Sequence, residues 1–294
     1  MSTEHELTQF VVSGLTTGSI YALIALGFCI IHNAIGIVNF TQVDFVTLGG
    51  LMMYTFLLRM KLPMPLAFIL GVLSVTAVGA LVERLAIRPA KSRAVLILIF
   101  ITIGVSILMR GVFKILWGTN QMALPSFSGD TPLLILRAAI LPQSLWILAI
   151  TIIVVILLHL FFGRSRIGKA MRAASFNPKA AALMGVNVNR MVLFSFALSG
   201  ALGAVAGIII VPITTLSYDI GVILGLKGFA AAVLGGYGNI VGAIIGGLTL
   251  GLLESFGAGL VSSTYKDVIA FAVLLLVLFM KPSGLLGYGE KERV

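Results

Sequence analysis

The sequence predicts an all-α fold, a polytopic integral membrane helical bundle with about eight or nine membrane segments, on three observations. Hydrophobic residues make up 59% of the 294 residues and charged residues only 10%, whereas an average soluble domain carries about 25% charged residues. Long stretches carry no formal charge, and about 20 mostly apolar residues suffice for a spanning helix. Lysine and arginine are concentrated between these stretches, which favours membrane topology as the reason for the net charge of +10. An ordinary soluble enzyme, a disordered chain and a secreted disulfide scaffold are therefore excluded.

The individual segments follow from the positions of the charges. In hydrocarbon each segment must satisfy its own backbone hydrogen bonds, so every candidate is predicted to be a helix. Two candidates are short for a full span, and we leave open whether 41–58 and 220–236 cross the membrane or re-enter it. The nine candidates are 9–31, 41–58, 63–83, 94–116, 142–162, 191–213, 220–236, 239–258 and 265–280.

Three basic segments set the predicted orientation. They are 84–93, 163–190 and the tail from Lys281 onward, and the positive-inside rule places all three in the cytoplasm. Three candidates precede residue 84, two lie between 93 and 163, and four follow 190. This count predicts that the N-terminus and the loop 117–141 lie outside.

The cytoplasmic loop 163–190 is predicted to form two short helices. Asn177 is suited to cap the second helix, Pro178 fits its first position and Gly185 is suited to end it. The first helix has one small apolar face surrounded by basic residues. The residues alone support two interpretations equally, a docking surface for another protein and an interfacial helix on anionic lipid.

Several polar residues lie inside or beside the predicted segments. Ionisable groups in a membrane are costly and usually face a cavity or a partner, and short or broken segments in the two halves of a transporter often mark its pathway. The alternative is that Lys227 neutralises Glu254 or Asp44 in a purely structural pair. The candidate solute-pathway residues are Asn39, Gln42, Asp44, Lys227 and Glu254.

The sequence offers no catalytic constellation. No convergent nucleophile, metal-ligand set or acid–base pair stands out, and a membrane-embedded enzyme would need one. The stretch 163–170, GRSRIGKA, looks like a phosphate-binding loop, but Ala170 lacks the hydroxyl that binds magnesium and the stretch follows an apolar run instead of a strand. We therefore expect no enzymatic activity, no cofactor, no metal and no nucleic-acid partner.

The stretch 168–190, GKAMRAASFNPKAAALMGVNVNR, resembles the cytoplasmic coupling loop of LivH-type permeases. These permeases belong to ATP-binding-cassette (ABC) importers of branched-chain amino acids and related small polar solutes. Further resemblances lie at 18–27, GSIYALIALG, at 225–236, GLKGFAAAVLGG, and at 251–254, GLLE. One motif departs from the family: 39–44 reads NFTQVD, whereas the family usually shows Ala-His-Gly-Glu or similar after Asn-Phe.

The resemblance implies a permease subunit that forms the translocation pathway for branched-chain amino acids in the bacterial cytoplasmic (inner) membrane. It implies one permease domain over 1–294 whose coupling loop, 163–190, receives the work of ATP hydrolysis. The implied partners are a second permease subunit of related sequence, two cytosolic ATP-binding subunits, an extracytoplasmic solute-binding protein and membrane lipid. The implied coupling residues are Arg172, Ala173, Asn177, Pro178, Ala181 and Gly185.

Two alternatives remain at this point. The first is a permease of the same kind for urea, short amides or another small polar solute. The second belongs to a different class, a stand-alone secondary transporter or channel. That class explains the bundle and the intramembrane charges, but it does not explain an ordered basic loop at 163–190.

Overall fold

The computed structural model describes residues 3–92, 94–135, 138–260, 262, 264, 266–281 and 283–287. A short hairpin of β1, Leu133–Ile135, and β2, Ala138–Ile140, pairs Leu133 with Ile140. The helices are α1 Thr3–Ile35, α2 Gln42–Tyr54, α3 Met64–Val82, α4 Val95–Trp117, α5 Pro142–Arg164, α6 Arg166–Phe176, α7 Pro178–Leu183, α8 Val188–Ile210, α9 Ile220–Gly235, α10 Ile240–Leu260 and α11 Lys266–Met280. Single turns of other helix types continue α2 over Thr55–Arg59, α3 over Glu83–Ile87 and α8 over Val211–Ile213.

Six helices of the described chain are long and apolar enough to cross a membrane. Together with their continuing turns they are Glu6–Ile35, Met64–Ile87, Val95–Trp117, Pro142–Arg164, Val188–Ile213 and Ile240–Leu260. They match six of the nine predicted segments. The remaining three segments correspond to α2 with its continuing turn, α9 and α11, which have 18, 16 and 15 residues and fall short of the roughly 20 that a full span needs. The helical membrane bundle is therefore confirmed, whereas the count of eight or nine spans is not.

Helix α1 forms the core of the bundle, with α8, α9 and α10 packed around it. Between Ile20 and Ile31 every hydrophobic side chain is at most 3% exposed. Helices α4 and α5 differ, because only 22% of the apolar stretch of each helix is buried. Protein therefore surrounds α1, while α4 and α5 offer their apolar surfaces to lipid or to another subunit.

Small residues let the central helices meet at backbone distance. A methyl group on Gly18 of α1 would lie 2.9 Å from the carbonyl oxygen of Gly247 of α10, and one on Gly247 would lie 2.5 Å from the backbone nitrogen of Ala22. On α8, an added methyl group at Gly207 would overlap the carbonyl oxygen of Val46 of α2. The small-residue faces are therefore used for packing within this chain, as in other close helix pairs in membranes.

The described residues of the three basic segments lie at one end of the bundle. Arg88 donates to the carbonyl oxygen of Asn189 at 3.5 Å, which brings the end of α3 to the start of α8. Leu286 N donates to Gly235 O at 3.0 Å, which brings the tail to the end of α9. At the opposite end, Trp117 Nε1 donates to Thr55 Oγ1 at 2.9 Å. This is the arrangement that the predicted orientation requires.

Candidate functional site

Helix α2 begins inside the bundle instead of at its edge. Gln42, its first residue, donates from Nε2 to the carbonyl oxygen of Ser199 at 3.4 Å, and Ser199 is the central residue of α8. Ser199 Oγ also lies within hydrogen-bond distance of Gln42 Oε1 and, at 3.1 Å, of Gly27 O. The chain therefore reverses after α1 and returns to the middle of its neighbours before α2 starts.

The reversal before α2 is held by side chains. Asn39 is fully buried, and its Oδ1 accepts from the backbone nitrogen of Thr41 at 3.2 Å, the hydrogen bond of an Asx turn. Phe40 N donates to Thr102 Oγ1 at 3.2 Å, and Thr41 Oγ1 donates to Thr102 O at 3.2 Å. The turn is thereby fixed against α4, and the Nδ2 group of Asn39 has no hydrogen-bond partner among the described residues.

Asp44, in the first turn of α2, forms a loose ion pair. Its carboxylate is fully buried, and Oδ1 lies 3.4 Å from Nε of Arg110 on α4. Neither carboxylate oxygen accepts a hydrogen bond within the described chain. Arg110 Nη2 donates to Ser106 Oγ at 3.1 Å, and 32% of the Arg110 side chain is exposed. The arginine therefore neutralises a buried carboxylate on one side and is open to its surroundings on the other.

An open cavity of about 560 Å³ lies beside Arg110, between α4 and the start of α9. Helix α2 contacts both α4 and α9 and lies behind the cavity. The volume lies within the range of about 300–1,000 Å³ that small-molecule sites occupy. Four of its lining residues are isoleucine or valine. The polar ones are Arg110, Thr214, Thr215, Ser217, Tyr218 and Asp219.

A second charge cluster lies at Lys227 of α9. Its Nζ atom is 2.8 Å from Glu254 Oε1 of α10 and 2.6 Å from Asp267 Oδ1 of α11. Tyr21 of α1 donates its hydroxyl to Glu254 Oε2 at 2.7 Å, and its ring centre lies 5.7 Å from Nζ. The Lys227 and Glu254 side chains are 4% and 8% exposed, whereas the Asp267 side chain is 50% exposed. The cluster is therefore closed around Lys227 and Glu254, opens at Asp267, and joins four helices.

The structure separates the five predicted pathway residues into two groups. Those before residue 50, namely Asn39, Gln42 and Asp44, gather at the start of α2. The other two, Lys227 and Glu254, form the closed cluster. The alternative pairing of Lys227 with Asp44 is wrong, because the ionic partner of Asp44 is Arg110.

Sequence reasoning missed two charged residues that line the cavity. Arg110 lies within the predicted segment 94–116, where an arginine is an intramembrane charge of the kind that marks functional sites. Asp219 directly precedes the short segment 220–236. Both charges are visible in the sequence, but neither residue was among the predicted pathway residues.

Local capping shapes the loop 163–190 as predicted. Asn177 Oδ1 accepts from Ala180 N at 3.0 Å, and Pro178 is the first residue of α7. Gly185 follows the end of α7 with φ +84°, a conformation that side chains with a Cβ rarely adopt. We call the pair α6–α7 with its flanking residues, 165–187, the elbow.

The surface of the elbow differs from the predicted residue set. Ala181 is buried, whereas the other five predicted residues, Arg172, Ala173, Asn177, Pro178 and Gly185, are exposed. Three large apolar side chains outside the predicted set project outward: Phe176, Leu183 and Met184 are 93%, 90% and 85% exposed. Exposed apolar groups gathered in one place mark interaction sites.

Comparison with known proteins identifies the family. Residues 10–278 match the family described as the permease component of the branched-chain amino acid transport system. The chain belongs to this family. It is 36% identical over 305 residues to the high-affinity branched-chain amino acid transport system permease protein BraD of Pseudomonas aeruginosa, covering 99% of this chain and 98% of BraD. It is 34% identical over 299 residues to LivH of Escherichia coli, covering 97% of each chain.

Among solved structures, the permease is similar to PsaBC from Streptococcus pneumoniae in complex with Fab, with a TM-score of 0.46 and 15% identity over 95% of this chain and 92% of that chain. The sequence relatives confirm the LivH-type resemblance and the permease assignment. The permease is a transport subunit, not itself an enzyme, and it is a multi-pass protein of the bacterial inner membrane.

Proposed function

We propose that the permease forms the translocation pathway for branched-chain amino acids in an ABC importer. The observation that carries this proposal is the near full-length similarity to BraD and LivH, which are permease proteins of high-affinity branched-chain amino acid transport systems. The geometry supports it, since α2 starts inside the bundle beside an open cavity of mixed charge. Interrupted helices beside a cavity are typical of transporter pathways.

The proposal extends to the topology. The chain is one permease domain over 1–294, with its N-terminus outside and the elbow in the cytoplasm. The shared position of the three basic segments supports this orientation. On this proposal α2, α9 and α11 complete the predicted nine segments, with α2 and α9 as short segments of the pathway.

The proposed partners each have a surface that suits them. A second permease subunit, related to this chain but not identical, packs with lipid against the apolar outer faces of α4 and α5. An extracytoplasmic solute-binding protein docks at the end that holds Trp117 and Thr55. Two cytosolic ATP-binding subunits hydrolyse ATP, and one of them contacts the elbow.

The elbow is proposed to transmit that contact. Phe176, Leu183 and Met184 enter the ATP-binding subunit, and the exposed Arg172 and Ala173 flank them. Asn177, Pro178 and Gly185 fix the shape, while Ala181 packs inward. Because the elbow joins α5 to α8 directly, its displacement moves both helices and favours inward-open or outward-open packing, a two-state change.

Gly185→Val tests this role in proteoliposomes that hold the complete importer and take up labelled leucine. The positive φ of Gly185 is strained for a β-branched residue, so the joint should deform and ATP-driven uptake should be lost. Membrane insertion, measured by the yield of monodisperse protein, should stay unchanged. Normal uptake by this variant would contradict the coupling role.

Lys179→Gln is the matched control, because Lys179 is an exposed residue of the same elbow outside the predicted coupling set. It should transport normally. Labelled urea and acetamide in the same assay distinguish the solutes: uptake of either instead of leucine would assign the permease to another small polar solute.

A further inference from the structure

The cavity between α4 and α9 has the charges that an amino acid requires. We propose that it is an intramembrane binding site for the zwitterion, with Arg110 holding the carboxylate, Asp219 holding the ammonium group, and the isoleucine wall receiving the aliphatic side chain. The inference rests on the proposed function and adds to it the residues that contact the solute. None of these residues was among the pathway residues that the sequence suggested.

Arg110 is arranged to bind a carboxylate. Nε donates to the carbonyl oxygen of Ser106 at 3.4 Å and lies at the same distance from Asp44 Oδ1, while Nη2 donates to Ser106 Oγ at 3.1 Å. Nη1 makes no hydrogen bond within the described chain. The buried carboxylate of Asp44 helps to orient the guanidinium. Because arginine presents planar, paired donors, it binds carboxylates more specifically than lysine does. One side of the guanidinium is thus committed to the protein, and a third of the side chain is open at the cavity.

Asp219 provides the opposite charge on the facing wall. It is exposed, and its carboxylate accepts from Ser217 Oγ at 2.8 Å but makes no capping hydrogen bond to α9. Leu216, three residues earlier, is held to Met122 by two backbone hydrogen bonds of 2.9 Å. The segment is therefore fixed in place, and the Asp219 carboxylate is available to an ammonium group.

The apolar part of the cavity wall suits the aliphatic side chain of a solute. Ile107 of α4 and Ile223 of α9 both line the cavity, and each is 61% exposed. A branched aliphatic side chain placed there would remove apolar surface from water on both sides, which is favourable in proportion to the area covered. A small amide such as urea carries no such surface and no charge pair, so this cavity discriminates against it.

A cysteine-protection experiment tests whether leucine occupies the cavity in a permease that retains Arg110. The chain contains one cysteine, Cys29, which is fully buried, so an introduced thiol reports alone if the partner subunits are made cysteine-free. In the complete importer, leucine should slow the labelling of Ile223→Cys by a membrane-impermeant maleimide. Labelling of Thr131→Cys, at an exposed position that does not line the cavity, should not change. Equal labelling of Ile223→Cys with and without leucine, in a complex that transports leucine, would overturn the inference.

Charge removal tests the two assigned partners. Equilibrium binding of labelled leucine to the complete importer, measured without the solute-binding protein, should weaken about 10–100-fold in Arg110→Gln and in Asp219→Asn, the range expected for a lost hydrogen bond to a charged group. Arg110→Lys should recover part of the affinity. Since Arg110→Gln also leaves Asp44 unpaired, Asp219→Asn serves as the variant that is not expected to disturb folding.

The controls remove the same charges elsewhere. Lys114→Gln alters an exposed cation on the same helix, and Asp130→Asn alters an exposed carboxylate that accepts from a serine, Ser126, as Asp219 does. Both should bind leucine normally. If the unaltered importer transports no branched-chain amino acid, the proposed function fails and the inference fails with it. If it transports leucine and both cavity variants bind normally, the inference alone fails.

Discussion

The two intramembrane charge clusters show how differently similar residues are used. At Lys227 the ammonium group has two carboxylates within 2.8 Å, and the cluster joins α1, α9, α10 and α11. At Asp44 the single ion pair is 3.4 Å long, joins only α2 and α4, and borders a cavity. A cluster whose lysine has two carboxylate partners stabilises the bundle, whereas an under-partnered pair beside a cavity has capacity left for a solute.

The largest loss of stability is expected from a substitution at Lys227. Lys227→Met leaves the buried Glu254 without its cation, and removing one member of a buried ion pair costs about 3–5 kcal/mol. The thermal unfolding temperature of the purified permease should fall sharply, with a lower yield of monodisperse protein. The double variant Lys227→Met with Glu254→Gln should recover much of the loss. Unchanged stability of the single variant would show that the cluster is not structural.

A smaller loss is expected at Tyr21, which belongs to the same cluster. Tyr21→Phe removes the hydroxyl that donates to Glu254 at 2.7 Å, a hydrogen bond to a charged group worth about 1.5–3 kcal/mol. The ring remains, so packing in α1 is preserved. Thermal unfolding measures the cost, and Phe28→Leu, a buried α1 change remote from the charges, separates the effect of the hydroxyl from general sensitivity of that helix. A variant as stable as the unaltered permease would mean that Glu254 does not need the hydroxyl.

The smallest effect on stability is expected at Asp44. Asp44→Asn removes a buried charge that accepts no hydrogen bond in the described chain, and Arg110 keeps Ser106 and its partial exposure. The free energy of unfolding should therefore change by no more than about 1 kcal/mol, the scale of one ordinary hydrogen bond. Leucine uptake should nevertheless fall, because Arg110 loses the buried charge that faces its guanidinium. A stability loss as large as that of Lys227→Met would show that the Asp44 ion pair is as structural as the Lys227 cluster.

Local rules predicted the parts of the fold that depend on neighbouring residues. The cap at Asn177, the proline after it and the positive φ at Gly185 follow from the residues themselves, and the long apolar runs predict the six long helices. The pairing of charges does not follow in this way. Lys227 had Asp44 and Glu254 as candidate partners, far away in sequence, and only helix packing decides between them.

The depth at which α2 starts and the surface of the elbow could not be predicted from the sequence either. The depth at which α2 begins depends on the contact of Gln42 with Ser199, 157 residues later, and no local pattern encodes that distance. Phe176, Leu183 and Met184 lie in an alanine-rich stretch whose charges and caps dominate its pattern. Their outward direction depends on how Ala181 and its neighbours pack against the bundle.

The enclosure of α1 has a consequence for biogenesis. This helix leaves the ribosome well before the helices that wrap it, because α8, α9 and α10 span residues 188–260. Until they arrive, the glycines of α1 face the insertion machinery or lipid acyl chains without their backbone partners. Helix α1 is thus made early and sheltered late, and chains that stop before α10 should be cleared by membrane proteases.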